Sequence, residues 1–140
     1  MKTLIISFGI IIMSIMGMAY QSDLSNYYFL EQHLQSLTEE CVAYAALSCY
    51  DEESGIIEFN ESICQVKVDE LISYASTHMA CFRDGSLKTG NIIFSEGENP
   101  KISLELTFIP NYSLFRQKNI KTPDLTHESC YEWVLDTSEN

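Results

Sequence analysis

Residues 3–22 read TLIISFGIIIMSIMGMAYQS, and residues 23–49 continue as DLSNYYFLEQHLQSLTEECVAYAALSC. No charge falls between Lys2 and Asp23. At about 1.5 Å per residue, a helix over residues 3–22 is roughly 30 Å long, the thickness of one hydrocarbon core. Its most apolar part runs from Leu4 to Tyr20. Gly17 and Gly55 are consecutive glycines and the first proline is Pro100, so residues 18–54 contain no strong helix breaker. Within that stretch Leu30, Leu34, Leu37, Cys41, Tyr44 and Ser48 recur at helical spacing, with Leu24 and Tyr27 leading in and Val42 and Ala45 widening the stripe. Gln32, Gln35, Glu39 and Glu40 fill the intervening positions. The pattern predicts one rod from about residue 3 to 49, apolar all round in its first half and amphipathic in its second.

The apolar segment has two readings. As a retained anchor it makes a single-pass membrane protein. As a signal peptide it has Lys2 as a minimal basic region and Gly17-Met18-Ala19 as a small-x-small cleavage site. The uninterrupted run into an amphipathic helix favours retention, because a secretory signal is ordinarily followed by a loop and an independent domain. Residues 22–80 hold 11 acidic residues and one basic residue, Lys67. The positive-inside bias therefore predicts a cytoplasmic N-terminus, with everything after residue 22 extracytoplasmic. Inside the segment, Ser7, Ser14 and Gly17 fall within about 80° of one meridian at 100° per residue, a small-residue face along which membrane helices pack closely.

Beyond the rod, Asp51-Glu52-Glu53-Ser54-Gly55 reads as a turn and Ile56–Phe59 as a short extended piece. Asn60 is a candidate N-cap, with Glu61 placed to suit the helix dipole. Ile63, Val66, Leu71, Ile72, Ala75 and Met79 then predict a second helix over 61–78. Asn91–Ser95 is β-rich and Glu96–Pro100 a turn cluster, while Lys101–Ile109 alternates strictly with Ile102, Leu104, Leu106 and Phe108 on one face. Pro110 is expected to end that strand. Residues 110–125 read as a loop with Leu114 and Phe115 packed inward, Ser129–Leu135 as a last strand and Asp136–Asn140 as a polar tail. The expected fold class is α+β: a membrane helix over 1–22, an extracytoplasmic domain over 23–135 that lays a helix pair on a small antiparallel sheet, and a tail over 136–140.

Composition narrows the function. The 140 residues carry 8 Lys+Arg against 20 Asp+Glu, a formal net charge of −12. That opposes binding to nucleic-acid phosphates or docking on anionic lipid through a polybasic patch. An apolar content of 46% is too high for an acidic disordered chain, and there is no internal repeat. His78-Met79-Ala80-Cys81 and His127-Glu128-Ser129-Cys130 are two His-x-x-Cys pairs, but the paired-Cys spacing of a zinc site is absent. His33, beside the apolar stripe, reads as a partly buried or surface residue. The acidic turn lacks the alternating ligands and closing Glu of a calcium loop. Asn60-Glu61-Ser62 and Asn111-Tyr112-Ser113 match the glycosylation pattern, which matters only in a eukaryotic secretory pathway. No nucleophile is paired with a base, and no motif for a catalytic site, cofactor or metal occurs. No enzymatic activity, cofactor or metal is expected. Of the five cysteines, Cys41, Cys49, Cys64, Cys81 and Cys130, the odd count leaves at least one thiol unpaired or bonded to another molecule. Cys49 and Cys64 flank the turn and could pair across it, and Cys41 on the stripe fits a small buried apolar role.

The order of these features resembles the TadE-like pseudopilins of Gram-positive pilus-assembly operons. A short basic start precedes one apolar helix, and an amphipathic run ends in Glu39-Glu40-Cys41-Val42-Ala43-Tyr44-Ala45-Ala46-Leu47. The acidic turn Tyr50-Asp51-Glu52-Glu53 follows, then Ile57-Glu58-Phe59-Asn60-Glu61 opens a second helix, and after an alternating strand Tyr131-Glu132-Trp133 lies near the end. The resemblance implies a membrane-held structural subunit whose partners are the lipid bilayer and other pilin-like subunits or assembly membrane proteins. It departs from type IV pilins, which are processed at a Gly before Phe and carry a Glu five residues into the mature helix. No Phe follows Gly9 or Gly17, and residues 3–22 hold no acid, so an uncleaved minor component is implied. The candidate assembly face is Leu30, Leu34, Leu37, Cys41 and Tyr44. The contrasting expectation is a small secreted disulfide-containing domain, freed from its signal, that binds a partner or ligand.

Overall fold

A computed structural model describes residues 2–51, 56–57, 60–95, 99–112 and 121–133. The first element is one α-helix, α1, Lys2–Ser48. Its 47 residues make a rod of about 70 Å. Its end closes tightly: Cys49 N donates to Ala46 O at 3.1 Å and the Ser48 hydroxyl to Ala45 O at 2.7 Å. A two-residue ladder follows, β1 (Tyr50–Asp51) antiparallel to β2 (Ile56–Ile57). Helix α2 spans Glu61–His78. Asn60 caps it as expected, its Oδ1 accepting from Ile63 N at 3.2 Å. A short 3-10 turn, Ala80–Phe82, leads to a three-stranded antiparallel sheet of β3 (Gly85–Ser95), β4 (Lys101–Pro110) and β5 (Leu125–Glu132), in spatial order β3-β4-β5. The fold is thus α+β, with the two helices and the sheet that the sequence predicts.

The core is a helix-on-sheet layer. Ile102, Leu104, Leu106 and Phe108 of β4 are all buried on one face. The second half of α1 covers that face, and α2 flanks both. Thr38 lies fully buried in this layer, where its hydroxyl is satisfied by donation to Leu34 O at 2.7 Å.

Three expectations shift. Strand β3 begins at Gly85, not Asn91, because a bulge divides it. Thr89 pairs with Leu106 and Ile92 with Leu104, so Gly90 and Asn91 together oppose Glu105. The extra residue re-phases the strand, so that Leu87 and Thr89 before the bulge and Ile92 and Phe94 after it pair with the inward residues of β4. Strand β5 starts at Leu125, opposite Phe108, and ends at Glu132. In α2 the inward stripe is Cys64, Val68, Leu71 and Ala75, whereas Ile63 and Val66 are exposed. The larger side chains had suggested the neighbouring face. The packing of Leu114 and Phe115, the turn at 52–55 and the tail 136–140 lie outside the described residues.

Gly85 is fixed by close approach. A Cβ there would stand 2.6 Å from the Ile109 carbonyl oxygen and closer still to the buried Phe108 ring, itself packed on Phe82 at a centroid distance of 5.5 Å. Gly85→Ala is therefore expected to lose about 1–3 kcal/mol, a Tm lower by roughly 5 °C or more in a thermal melt. An unchanged Tm would mean that the strand end can slide away from the ring.

Candidate membrane segment and assembly surfaces

The two halves of α1 meet different surroundings. Residues 4–22 are exposed throughout, Leu4, Ile5, Ile6, Phe8, Ile10, Met13, Ile15 and Met18 among them at more than half of their free surface. An 18-residue window here has a mean hydropathy of 1.9, with none of it buried. This segment is long and apolar enough to cross a bilayer, and it does not serve as a core helix for the described domain. As a near-N-terminal apolar helix it is compatible with either a membrane anchor or a signal sequence.

At the junction the helix becomes aromatic. Tyr20, Tyr28 and Phe29 are exposed and Tyr27 is half-buried. Aromatic side chains of this amphipathic kind are enriched where a helix leaves the hydrocarbon. The Phe29 ring meets His33 edge-on at 4.2 Å. The end of β4 reaches the same level of α1, where burial raises the Tyr112 hydroxyl pKa and the neighbouring Tyr27, Asp84 and Asp23 add to the rise. Asn111 N donates to Asp84 O at 2.9 Å, and the Thr122 hydroxyl donates to Tyr112 O at 2.5 Å. These bonds tie the strand ends together beside residues 23–27.

Of the predicted small-residue face, Ser7, Ser14 and Gly17 all lie in the exposed half. Nothing stands within 4 Å of a Cβ built at Gly17 or at Gly9. The Ser14 hydroxyl donates to Ile10 O at 2.9 Å, so its polarity is satisfied within the helix. The face is open, narrow in side chains and free of an unmet donor at Ser14.

The predicted assembly stripe is placed differently. Leu30, Leu34, Leu37 and Cys41 are at most 4% exposed, packed with Val42 and Ala45 into the domain's own core. Only Tyr44 of that set stays at the surface, 40% exposed, with Lys67 Nζ 5.8 Å from its ring centroid. The physical reason is the sheet. One apolar face of a three-stranded sheet must be covered, and this stripe is the cover.

The remaining candidates separate in space. His78 is exposed at the end of α2, stacked on Tyr74 at 4.2 Å. His127 and Cys130 lie three apart on β5, so they point to opposite faces and do not converge on one ion. Among the described residues no group of three or more His, Cys, Asp or Glu is arranged to hold a metal. A shallow depression of about 240 Å³ lies on the outer face at the bulge, lined by Asn91, Ile93, Ser103, Leu104, Glu105 and Glu128. No histidine or cysteine lines it to activate, or act as, a nucleophile. Sequence reasoning missed this hollow, because it is created by the bulge. Compared with known family models, curated proteins and solved structures, the chain finds no match.

Proposed function

We propose that this chain is a single-pass membrane-anchored structural subunit of the pseudopilin kind, its domain from residue 23 onward held outside the cytoplasm. The observation that carries this reading is the division of labour along α1. One unbroken helix contributes nothing to the domain over residues 4–22 and then supplies one layer of its core. Such a helix holds the subunit in lipid before assembly, and in an assembly its exposed half exchanges lipid for neighbouring helices. The burial of Leu30, Leu34, Leu37 and Cys41 moves the candidate subunit contact away from that stripe and onto the apolar half, with Ser7, Ser14 and Gly17 as the face of closest approach.

Cysteine scanning tests the contact. Ser14→Cys and Gly17→Cys in membranes are expected to give oxidatively cross-linked dimers, while Ile12→Cys on the opposite face does not. Equal cross-linking from all three would remove the specific face.

The secreted-domain reading keeps one observation in its favour: among the described residues, cleavage after Ala19 would remove none that is buried. Intact mass of the native protein, taken separately from membrane and soluble fractions, separates the two. A membrane-bound species retaining residues 1–19 is expected, and a soluble species beginning near Tyr20 would overturn the anchor.

A further inference from the structure

Cys49 is the first residue after α1, and Cys64 lies in the first turns of α2. The β1–β2 ladder folds the chain back between them, so the two side chains meet at the seam of the helices. Their sulfurs are 2.8 Å apart, with Cys49 3% and Cys64 0% exposed. A disulfide bond is about 2.0 Å, so small side-chain rotations close the gap without moving either helix. Weak polar neighbours surround these sulfurs: Ala45 O lies 3.7 Å and the Ser48 hydroxyl 3.8 Å from Cys64 Sγ, and the Asn60 backbone and the Ser48 side chain reach the Cys49 thiol.

We propose that Cys49 and Cys64 are an oxidation site and form an intramolecular disulfide that staples the end of α1 to the start of α2. The oxidant is an external disulfide, met through exchange. The thiolate of one cysteine attacks the oxidant's sulfur–sulfur bond and forms a mixed disulfide. The second thiolate then displaces the oxidant's remaining sulfur and forms the Cys49–Cys64 bond. The two protein sulfurs are oxidised, and the oxidant accepts two electrons and the two thiol protons and leaves as a dithiol or as two thiols. That the oxidant is met in the cell rests on the extracytoplasmic placement proposed above; the choice of partners rests on geometry alone.

The odd cysteine count is resolved by this pairing. Cys41 lies within α1, about two turns before its end at Ser48 and so about 12 Å along the axis from Cys49. Cys81 is half-buried in the 3-10 turn, and Cys130 is exposed on β5. Burial first, and then the adjacent Cys64 thiol, pushes the Cys49 thiol up to about 12. Little thiolate is therefore present in the closed seam, and exchange there is slow.

The test uses the full chain in detergent, equilibrated with a mixture of oxidised and reduced glutathione, alkylated without reduction and mapped by mass spectrometry. A linked Cys49–Cys64 peptide is expected, with Cys41, Cys81 and Cys130 alkylated. Alkylation of both Cys49 and Cys64, or pairing of either with another cysteine, would overturn the proposal. Closing a loop of this length is expected to raise Tm by about 10 °C. Reductant should therefore lower the wild-type Tm by that amount and leave Cys49→Ser and Cys64→Ser unmoved; a variant that responds to reductant as the wild type does would also overturn it. Orientation is read independently by treating intact cells with a membrane-impermeant maleimide. Labelled Cys130 with free Cys49 and Cys64 in the native protein defeats the disulfide alone. Unlabelled Cys130, in a chain whose purified form pairs as expected, defeats the placement alone.

Discussion

Leu34→Asp is expected to abolish the cooperative folding of the domain. Leu34 is 1% exposed, in the middle of the α1 face that covers β4. The substitution removes a buried leucine, worth about 2–3 kcal/mol of transfer free energy, and puts a carboxylate into apolar surroundings. An ion there without a partner costs several kcal/mol more, or takes up a proton and still leaves polar atoms unsatisfied. The sum approaches the roughly 5–15 kcal/mol that holds a typical domain together. Near-UV circular dichroism of the detergent-solubilised chain should lose its folded signal and its melting transition, and the cellular level should fall. Ser36→Asp, at an exposed position one half-turn on, serves as the control and should change stability by less than about 0.5 kcal/mol. Wild-type melting of Leu34→Asp would mean that α1 and the sheet are not packed as described.

The second large effect is on partition. A chain beginning at Ser22 is expected to be fully water-soluble without detergent and to melt within a few degrees of the full chain. Residues 4–22 place no side chain in the core, and from residue 4 onward the first buried residue of α1 is Leu30. The new helix start also gains a suitable cap, with Ser22 and Asp23 beside the positive end of the dipole. The full chain, carrying its exposed Leu, Ile, Phe and Met side chains, should stay with the membrane until detergent is added. Aggregation of the shortened chain, or a melt lowered by more than about 10 °C, would mean that the apolar half is part of the domain.

The elements that could be read from the sequence are those whose pattern is set by one dominant period. The rod follows from the lack of breakers between Gly17 and Gly55 and from the stripe after Leu24. The limits of α2 follow from Asn60 and the apolar spacing, and β4 from its unbroken alternation. What was hidden depends on pairing. The first half of β3 has its inward residues at Leu87 and Thr89 and the second half at Ile92 and Phe94. No single alternation fits both, and the shift becomes visible only when Glu105 is seen opposite two residues. The inward face of α2 was hidden in another way. Cys64 and Ala75 are smaller than Ile63 and Val66, and Val68 is no larger than Val66; it is the close approach of the helices, unknown from sequence, that favours small residues inside. The role of the α1 stripe could not be read at all, since an apolar face does not say whether its partner is the same chain or another.

The lack of any hinge in α1 has a mechanical consequence. Residues 23–49 extend the rod about 40 Å beyond the apolar segment. The two glycines of the helix, Gly9 and Gly17, lie on the apolar side, so no soft point separates that segment from the domain. On the anchored reading proposed above, the rod is a lever in the bilayer with its fulcrum at the aromatic junction. A tilt of about 20°, ordinary for a single helix, swings the seam of Cys49 and Cys64 sideways by roughly 14 Å. Bilayer thickness, or the helices crowded around the segment, would then steer the domain as a handle steers a blade.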